Sequence, residues 1–506
     1  MRSTKAFIKD GIMLTVTALI LRSAGVFFSA RLSLTAGNAV MGLYTQIMTV
    51  YAFAVTAASA GINLGAMRII SECCGSGNTD KLSSAMRSCV SYCLKAGILV
   101  GAIMFLSAPF LGGVVLGDSR TVVSLRALSV ALPFIALSNA FHGYFNGIKH
   151  ISKSAFTSLF EQFVRIISTI IALNVFISAD TETLCLILVI CNAASEALSF
   201  LLLSVFYLVS KKGLPTQKRS TAFLRKRFLG ITVPIAISSL IRSALTTTEH
   251  ILIPIGLRAS GLDYEGSLAE YGIVSGMVMP ILLYPMALLT SFASVTIAEL
   301  SARASAGENV DSIRKTVTKG LSFALIYGIG CSAIIGCFST QLGYAIYKSA
   351  EAGKFIKILS PLIFFMYLDH ISDGMLKGLD KQNYVMKVNI LDAALSVLFA
   401  IILIPRFGIY GFIASLYLCE CLNCFFSFGR IFLLICPKLK IFVSFIMPTA
   451  CAFVAVHLVN TLAVCGAPLL PIILLALAVY VVLLKITGAL NVFTSQPPLT
   501  ESTYAV

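Results

Sequence analysis

The sequence predicts an all-α integral membrane protein of about fourteen transmembrane helices, arranged as two parallel-repeat six-helix halves around a central cavity plus two C-terminal helices. Three observations lead there. Of 506 residues 58% are hydrophobic and only 12% charged, with a mean hydropathy of +0.93, about half the charge of a soluble chain. Apolar runs long enough to cross a bilayer core, roughly 20 residues each, recur from end to end. Short segments also repeat in the same order in both halves of the chain.

The spanning runs of the first half are 11–31, 42–66, 88–112, 121–147, 155–177 and 183–209. Those that follow are 229–257, 270–299, 319–339, 355–378, 384–404, 408–436, 441–462 and 466–487. In lipid the backbone must bond to itself, so each run is expected as a helix. The basic N-terminus, Met1 to Asp10, leads into Gly11 without a convincing cleavage pattern, which predicts an uncleaved first span.

The loops orient these spans. Basic residues fall in alternate loops: Arg68, Lys81 and Arg87; Lys149 and Lys153; Arg303, Arg314, Lys315 and Lys319; Lys377, Lys381 and Lys387; Lys438 and Lys440. The largest cluster is Lys211, Lys212, Lys218, Arg219, Arg225, Lys226 and Arg227. Intervening loops are neutral or acidic, as in 178–182 and around Asp263, Glu265 and Glu270. Fourteen spans with both termini cytoplasmic satisfy the positive-inside rule. The net charge of +16 is thereby spread over loops. It suggests anionic membrane lipids as partners and no nucleic acid.

The repeat rests on three matches. Gly11-Ile12 followed by Leu21-Arg22-Ser23-Ala24 corresponds to Gly230-Ile231 followed by Ile241-Arg242-Ser243-Ala244. Arg68 to Glu72, with Gly77-Asn78, corresponds to Thr296 to Glu299, with Gly307 to Asn309. Gly143 to Gly147 corresponds to Gly374 to Gly378. An even number of spans separates the copies, so the halves share one orientation and a cavity is expected between them. The domain reading is an N-terminal half at 1–210, a basic cytoplasmic linker at 211–228 and a C-terminal half at 229–440. A further helix pair occupies 441–490 and a cytoplasmic tail 491–506.

Neither catalysis nor metal binding is indicated. There is no nucleophile elbow, phosphate loop, zinc spacing or HExxH, so no catalytic residue, no metal site and no cofactor is expected. Fourteen cysteines lie mostly within apolar runs and read as small packing residues. That includes Cys421 and Cys424, despite their CxxC spacing.

Charges at membrane depth are costly and mark function by default. At about 1.5 Å of rise per residue, Arg22 and Arg242 lie roughly 16 to 20 Å from the cytoplasmic ends of their helices. They occupy equivalent positions of the repeat, and two such guanidiniums suit a phosphate or diphosphate; the alternative is a structural bridge to a carboxylate. Glu249, seven residues after Arg242, shares its face and reads equally as its partner or as a protonatable coupling group. Glu161 and Arg165 stand at i,i+4, where an intrahelical pair is favoured and a cavity-lining role is compatible. Glu196 and Glu420 are deep and lack an evident local partner. Asp369 and Asp373 share a face beside His370 and read as helix-end groups facing water, with a transport role as the alternative. Loop-anchoring bridges account for Glu72 with Arg68 and for Glu299 with Arg303.

The stretch Leu132-Pro133-Phe134, Gly143 to Gly147 and Phe160-Glu161-Gln162-Phe163-Val164-Arg165 resembles the polysaccharide-exporter branch of the multidrug/oligosaccharidyl-lipid/polysaccharide (MOP) exporter superfamily. Arg22 to Gly25, Gly42-Leu-Tyr44 and Arg68 to Glu72 fit its stage V sporulation protein B-like group. The likeness covers essentially the whole chain. It implies a flippase in a bacterial cell membrane moving an undecaprenyl-pyrophosphate-linked saccharide or peptidoglycan precursor by alternating access. It further implies a monomer with a lipid-linked anionic saccharide as partner and possible H+ or Na+ coupling. Carried over, its first-span arginine falls on Arg22 and its fifth-span Glu-Gln-x-x-Arg on Glu161, Gln162 and Arg165. With the repeat and the charges at membrane depth, the site reading is Arg22, Arg242 and Arg165 for the anionic headgroup and Glu161, Glu249, Glu196, Asp369 and Glu420 for coupling or pairing. The related lipid II flippases carry second-span arginines, which 42–66 lacks, and Phe145-Asn146-Gly147 stands where an arginine-containing form is common. Two other readings stand beside it: a cation-coupled multidrug antiporter of the same fold, and a non-transporting scaffold in wall or spore synthesis.

Overall fold

The computed structural model describes residues 4–75, 80–148, 150–176, 180–211, 221–305, 309–462 and 469–490. Lys149, Lys212, Lys218, Arg219, the Gly77-Asn78 and Gly307-Glu308 loops and the 491–506 tail lie outside the described residues. So do the side chains of Lys5, Lys9, Glu72, Lys81, Lys211, Arg225, Lys226 and Arg227.

The described chain is helical, with no strand among its residues. In order the helices are α1 (Thr4–Ser59), α2 (Ile62–Gly75), α3 (Asp80–Phe110), α4 (Thr121–Ser129), α5 (Leu132–Gly147), α6 (Ile151–Val175) and α7 (Thr181–Lys211). Next come α8 (Thr221–Ala259), α9 (Tyr264–Tyr271), α10 (Met279–Leu283), α11 (Met286–Ser305), α12 (Val310–Cys337), α13 (Ser339–Tyr347) and α14 (Ala350–Leu359). The last are α15 (Leu362–Gly378), α16 (Gln382–Phe407), α17 (Ile409–Ile435), α18 (Met447–Leu462) and α19 (Leu469–Ile486). Wider π-turns occupy Leu111–Val115, Gly272–Val278 and Phe442–Ile446.

Among the described residues ten helices are long and apolar enough to cross a membrane alone, or up to twelve if each of two bent pairs is one span. The pairs are α4 with α5, bent by 43°, and α14 with α15, bent by 52°. The difference from the fourteen expected lies at two places. The first two expected spans are counted once within the 56-residue α1, although its two helices are separated by a non-helical kink at Gly37 with φ of 84°, a conformation glycine adopts without strain. The expected seventh span lies in α8, whose middle carries Arg242, Glu249 and a run of Ser and Thr between them, and it is not among the ten.

Two compact units form: Met1–Pro280 with Asn389–Leu416, and Ile281–Val388 with Tyr417–Val506. The first therefore reaches past the basic linker to include α8, α9 and the 272–278 turn. In it α2 and α3 pack on α5, α6 packs on α7, and α1 touches nearly every neighbour. Stacked and tilted rings of Phe134, Phe200, Phe141, Tyr207 and Tyr144 fill the space between α5 and α7. In the second unit α15 packs on α11 and α12, and the terminal pair α18 and α19 packs on α12. There Tyr480 donates to the Ile326 carbonyl at 2.8 Å and packs its ring against Gly330. Cys185, Cys191 and Cys451 are buried packing residues, as expected; Cys421 and Cys424 are free thiols.

The repeat read from the sequence is visible in each unit's own packing. In the first, Gly143 and Gly147 bring α5 onto α2, where an added Cβ would lie 2.6 Å from the Asn63 carbonyl oxygen and 2.8 Å from Ile70 Cβ. In the second, Gly378 brings α15 onto α11, with an added Cβ 3.1 Å from the Ile297 oxygen. Ser71 donates to the Gly147 carbonyl at 3.2 Å, and Ser301 donates to the Gly378 carbonyl at 3.1 Å. The expected bridge of Arg303 to Glu299 is present at 2.8 Å.

These contacts set a graded expectation. Gly147→Ala should destabilise the protein in detergent by about 1–3 kcal/mol, the usual cost of overpacking. Gly25→Ala, with nothing within 4 Å of the added carbon, should be neutral or stabilising through helix propensity, up to about 1 kcal/mol. Thermal unfolding of the two variants checks this; equal midpoints would refute the packing role of Gly147.

Candidate functional site

In the first unit a polar network crosses from α1 through α7 to α6. Tyr51 on α1 donates to Glu196 Oε2 at 2.5 Å. Asn192, one turn before Glu196 on α7, donates to its Oε1 at 3.1 Å. The Asn192 amide oxygen accepts from Arg165 Nη1 at 3.0 Å, and Arg165 Nη2 donates to Gln162 on α6. Tyr51, Asn192, Gln162 and Glu196 are buried, none more than 8% exposed. An unpaired group at such depth costs several kcal/mol, which explains why donors and acceptors meet in series. Arg165 is thus held by neutral amides, while Glu161 bears on it at longer range. The direct i,i+4 bridge expected between them is absent among the described residues. Glu196, expected without a local partner, has two. Neither Tyr51 nor Asn192 was foreseen, although Asn192 and Glu196 share the i,i+4 spacing of one helix face.

Arg22 and Arg242 differ from Arg165. Arg22 is part-buried on α1 and Arg242 is exposed on α8. Neither has a hydrogen-bond or ion-pair partner among the described residues, so no structural bridge consumes them. Glu249, two turns beyond Arg242, is within hydrogen-bonding reach of Ser396 on α16 and beside Asp392. Of its two sequence readings, partnership with Arg242 is therefore not what the structure contains. Asp392 was also not foreseen; its i,i+4 relation to Ser396 is the available signal. An apolar pocket of about 410 Å³ lies between α1, α3 and α8, lined by Phe53, Met104, Ala244, Thr248 and Ile251 among others.

In the second unit two carboxylates of α15 meet α17. Asn423 donates to Asp369 Oδ2 at 3.2 Å, and Ser427 donates to Asp373 Oδ1 at 2.8 Å. Both aspartates are buried, at 8% and 7% exposure, which corrects the expectation of water-facing helix-end groups. A polar stripe on α17 supplies partners that the α15 sequence by itself does not reveal. Glu420 is part-buried on the same helix, one turn before Asn423.

A fourth cluster sits on the face opposite the basic loops. Asp118 accepts from Arg120 Nε at 2.9 Å and from the Tyr264 hydroxyl at 2.7 Å. The Arg120 and Arg258 guanidiniums lie 5.7 and 5.2 Å from the Tyr264 ring centroid. Burial pushes Asp118 up, but its hydrogen bonds from Arg120 and then Tyr264 outweigh that and leave its carboxyl below the ordinary range.

The helices, the buried charge networks and the repeat define a multi-pass membrane protein with a MOP-type transporter fold. The sequence profile described as "Polysaccharide biosynthesis protein" matches residues 7–297, and the chain belongs to that family. The profile described as "MatE" matches residues 255–402. Among curated relatives, "Stage V sporulation protein B" of Bacillus subtilis (strain 168) is 20% identical over 415 residues, 80% of each chain. Among solved structures, "Lipid II flippase MurJ, inward closed conformation" superposes with a TM-score of 0.68 at 14% identity, over 94% of this chain and 98% of the other. An inward-facing multidrug resistance MATE family transporter superposes with a TM-score of 0.65 at 14% identity, over 82% and 94%.

The Asp118 cluster has a pH signature. A carboxyl depressed in the folded state stabilises above its unfolded pKa, near 4, and that stability is lost as pH falls through the lower folded value. Asp118→Asn should therefore lower the thermal midpoint at pH 7 by removing charge-assisted bonds worth about 1.5–3 kcal/mol. The gap to the parent protein should narrow as pH is taken below about 4. A gap independent of pH would refute it.

Proposed function

We propose that this protein is a flippase that carries an undecaprenyl-pyrophosphate-linked saccharide or peptidoglycan precursor across the bacterial cytoplasmic membrane by alternating access. The observation that carries the reading is the contrast among its deep arginines. Arg165 is saturated by Asn192 and Gln162, whereas Arg22 and Arg242, at equivalent positions of the repeat, are left without protein partners among the described residues. A guanidinium inside a membrane protein that is not used for structure is available to an anion, and planar donors match the oxygens of a diphosphate. Arg165 then orders α6 against α7 and is not itself a headgroup ligand. The family membership and the MurJ-like fold support the same class of cargo. Both termini lie in the cytoplasm in this reading, and no step requires catalysis.

The proposed coupling group is the pair Glu249 and Asp392. Two carboxylates this close repel when both are ionised, so a proton or Na+ between them is favoured. Such an ion would supply the driving force for reorienting the carrier.

Arg22→Glu and Arg242→Glu, inserted at parent levels, should each reduce translocation of the lipid-linked intermediate by about 10- to 100-fold, the cost of losing a charge-assisted contact. The readout is the pool of intermediate on the cytoplasmic face of depleted cells that express each variant. Undiminished flipping by Arg22→Glu would sink the reading.

A multidrug antiporter is the second reading, favoured by the MatE profile over 255–402, a stretch that contains Asp392. If overexpression raised resistance to a cationic drug, and Glu249→Gln abolished that resistance while lipid-linked intermediates were handled normally, this second reading would replace the first.

A further inference from the structure

The second unit holds a groove that the transport reading does not use. Its volume is about 750 Å³. It lies where the first turns of α12 meet the chain entering the 442–446 turn and the end of α19, on the side of the basic loops. Arg314, Lys315 and Lys319 come from α12, and Lys438 and Lys440 from the segment after α17. Against these five cations the lining contains one carboxylate, Asp311. That carboxylate is taken by Arg314 Nη1 at 2.6 Å, and Arg314 Nε is anchored on the Ile435 carbonyl at 2.9 Å. Lys315, Lys438 and Lys440 have no ion-pair partner among the described residues.

The groove's depth and surroundings decide what kind of anion it suits. From Asp311 to Ser322 the lining descends about 16 Å along α12. Its inner end is closed by the buried Ser322 and Ser444 hydroxyls, 3.1 Å apart. The groove therefore passes from the cytoplasmic surface to headgroup depth. Beside its mouth the chain presents Ile441, Phe442 and Phe445, at 68%, 59% and 42% exposure. A free polyanion would gain nothing from that apolar surface, whereas an anion tethered to a hydrocarbon chain would lay the chain along it. Basic pockets between helices on the cytoplasmic side are a recurrent way of holding anionic headgroups. Even with Lys319 set aside, the three cations Lys315, Lys438 and Lys440 are more than one phosphodiester neutralises, and the volume falls in the range of a drug-sized ligand.

We propose that this groove between α12, the 442–446 turn and α19 is a binding site for a lipid headgroup bearing two phosphates, entering from the cytoplasmic leaflet. Arg314, fixed by Asp311 and Ile435, orders the wall; Lys315, Lys319, Lys438 and Lys440 contact the phosphates; the Ser322 and Ser444 hydroxyls face the innermost oxygens. Two lipids share this chemistry, a polyprenyl diphosphate and a bis-phosphatidyl phospholipid. The site does not require Arg22 or Arg242, so it stands apart from the cargo proposed above.

The test uses the full chain in phosphatidylcholine nanodiscs, titrated separately with undecaprenyl diphosphate, a bis-phosphatidyl lipid, phosphatidylglycerol and inorganic pyrophosphate. At least one two-phosphate lipid should bind tenfold or more tightly than phosphatidylglycerol and pyrophosphate, and whichever does identifies the source. The combined Lys315→Gln, Lys438→Gln and Lys440→Gln variant should weaken that binding at least tenfold. Gln at Lys377, Lys381 and Lys387, exposed cytoplasmic lysines elsewhere in the same unit, should leave it within twofold. If the triple variant does not survive purification, Lys440→Gln alone should weaken binding about fivefold, the share of one interfacial cation. Equal binding of phosphatidylglycerol or of pyrophosphate, or full binding by a folded Gln variant, overturns the proposal. Arg22→Glu is expected to leave this binding intact, so failure here and failure of the transport reading are separable.

Discussion

Everything in this protein depends on how two helices come into backbone contact in a solvent that does not push them together. Lipid tails are as apolar as leucine, so helix association rests on close packing and hydrogen bonds. The protein's answer is a glycine seam used twice: α5 on α2 through Gly143 and Gly147, and α15 on α11 through Gly378. A serine hydroxyl closes each seam by donating to the carbonyl of the last glycine, Ser71 to Gly147 and Ser301 to Gly378. With the seam set, α5 carries its ring stack against α7, and α15 presents Asp369 and Asp373 to α17.

The same solvent dictates how charge is treated. Glu196 and Arg165 would be ruinous if left bare, and each is satisfied by neutral groups: Tyr51 and Asn192 for the carboxylate, Asn192 and Gln162 for the guanidinium. Asn192 serves both, amide nitrogen to one and oxygen to the other, so the ions are linked without touching. A dipolar bridge avoids desolvating a contact ion pair, whose cost can exceed its Coulombic gain. It also rigidifies α6, α7 and α1 together. Against that economy, Arg22 and Arg242, without a partner among the described residues, are the guanidiniums the proposed cargo would use.

How much of this was legible beforehand follows from what each signal measures. Apolar runs and alternating basic loops report the path of the chain through a membrane, and they give the class and the repeat. They also separate 11–31 from 42–66, which the kink at Gly37 divides into two helices within α1. Two of the three repeat matches, 68–72 with 296–299 and 143–147 with 374–378, were legible because they are packing motifs, and the paired serines lie inside or next to them. Arg22, Glu161, Arg165, Glu196, Asp369 and Glu420 were legible as charges in apolar runs. Their partners were not, because Tyr51, Asn192, Asn423 and Ser427 are neutral residues that any buried helix carries. Only tertiary placement distinguishes them. The correction at Asp369 and Asp373 has that origin: nearness to a helix end is not nearness to water where α17 covers both carboxylates.

The repeat also clarifies why the two halves are chemically unequal. Aligning Gly147 with Gly378 places Glu161 of the fifth span opposite Asp392 of the eleventh, and Arg165 opposite Ser396. In the fifth span a cation follows the carboxylate by one turn, and the neighbourhood is close to neutral. In the eleventh, a hydroxyl stands where the cation would be, and α8 brings a second carboxylate, Glu249, beside Asp392. Ancestrally equivalent positions have thus become a neutralised structural node in one half and a site of concentrated negative charge in the other. Glu161 also bears on Glu196 in the first, but there Arg165 offsets them, whereas the charge bearing on Glu249 is a second carboxylate, Asp392. In the proposed transport cycle the first site would hold the architecture and the second would respond to the coupling ion. That asymmetry connects the packing of this chain to its proposed work.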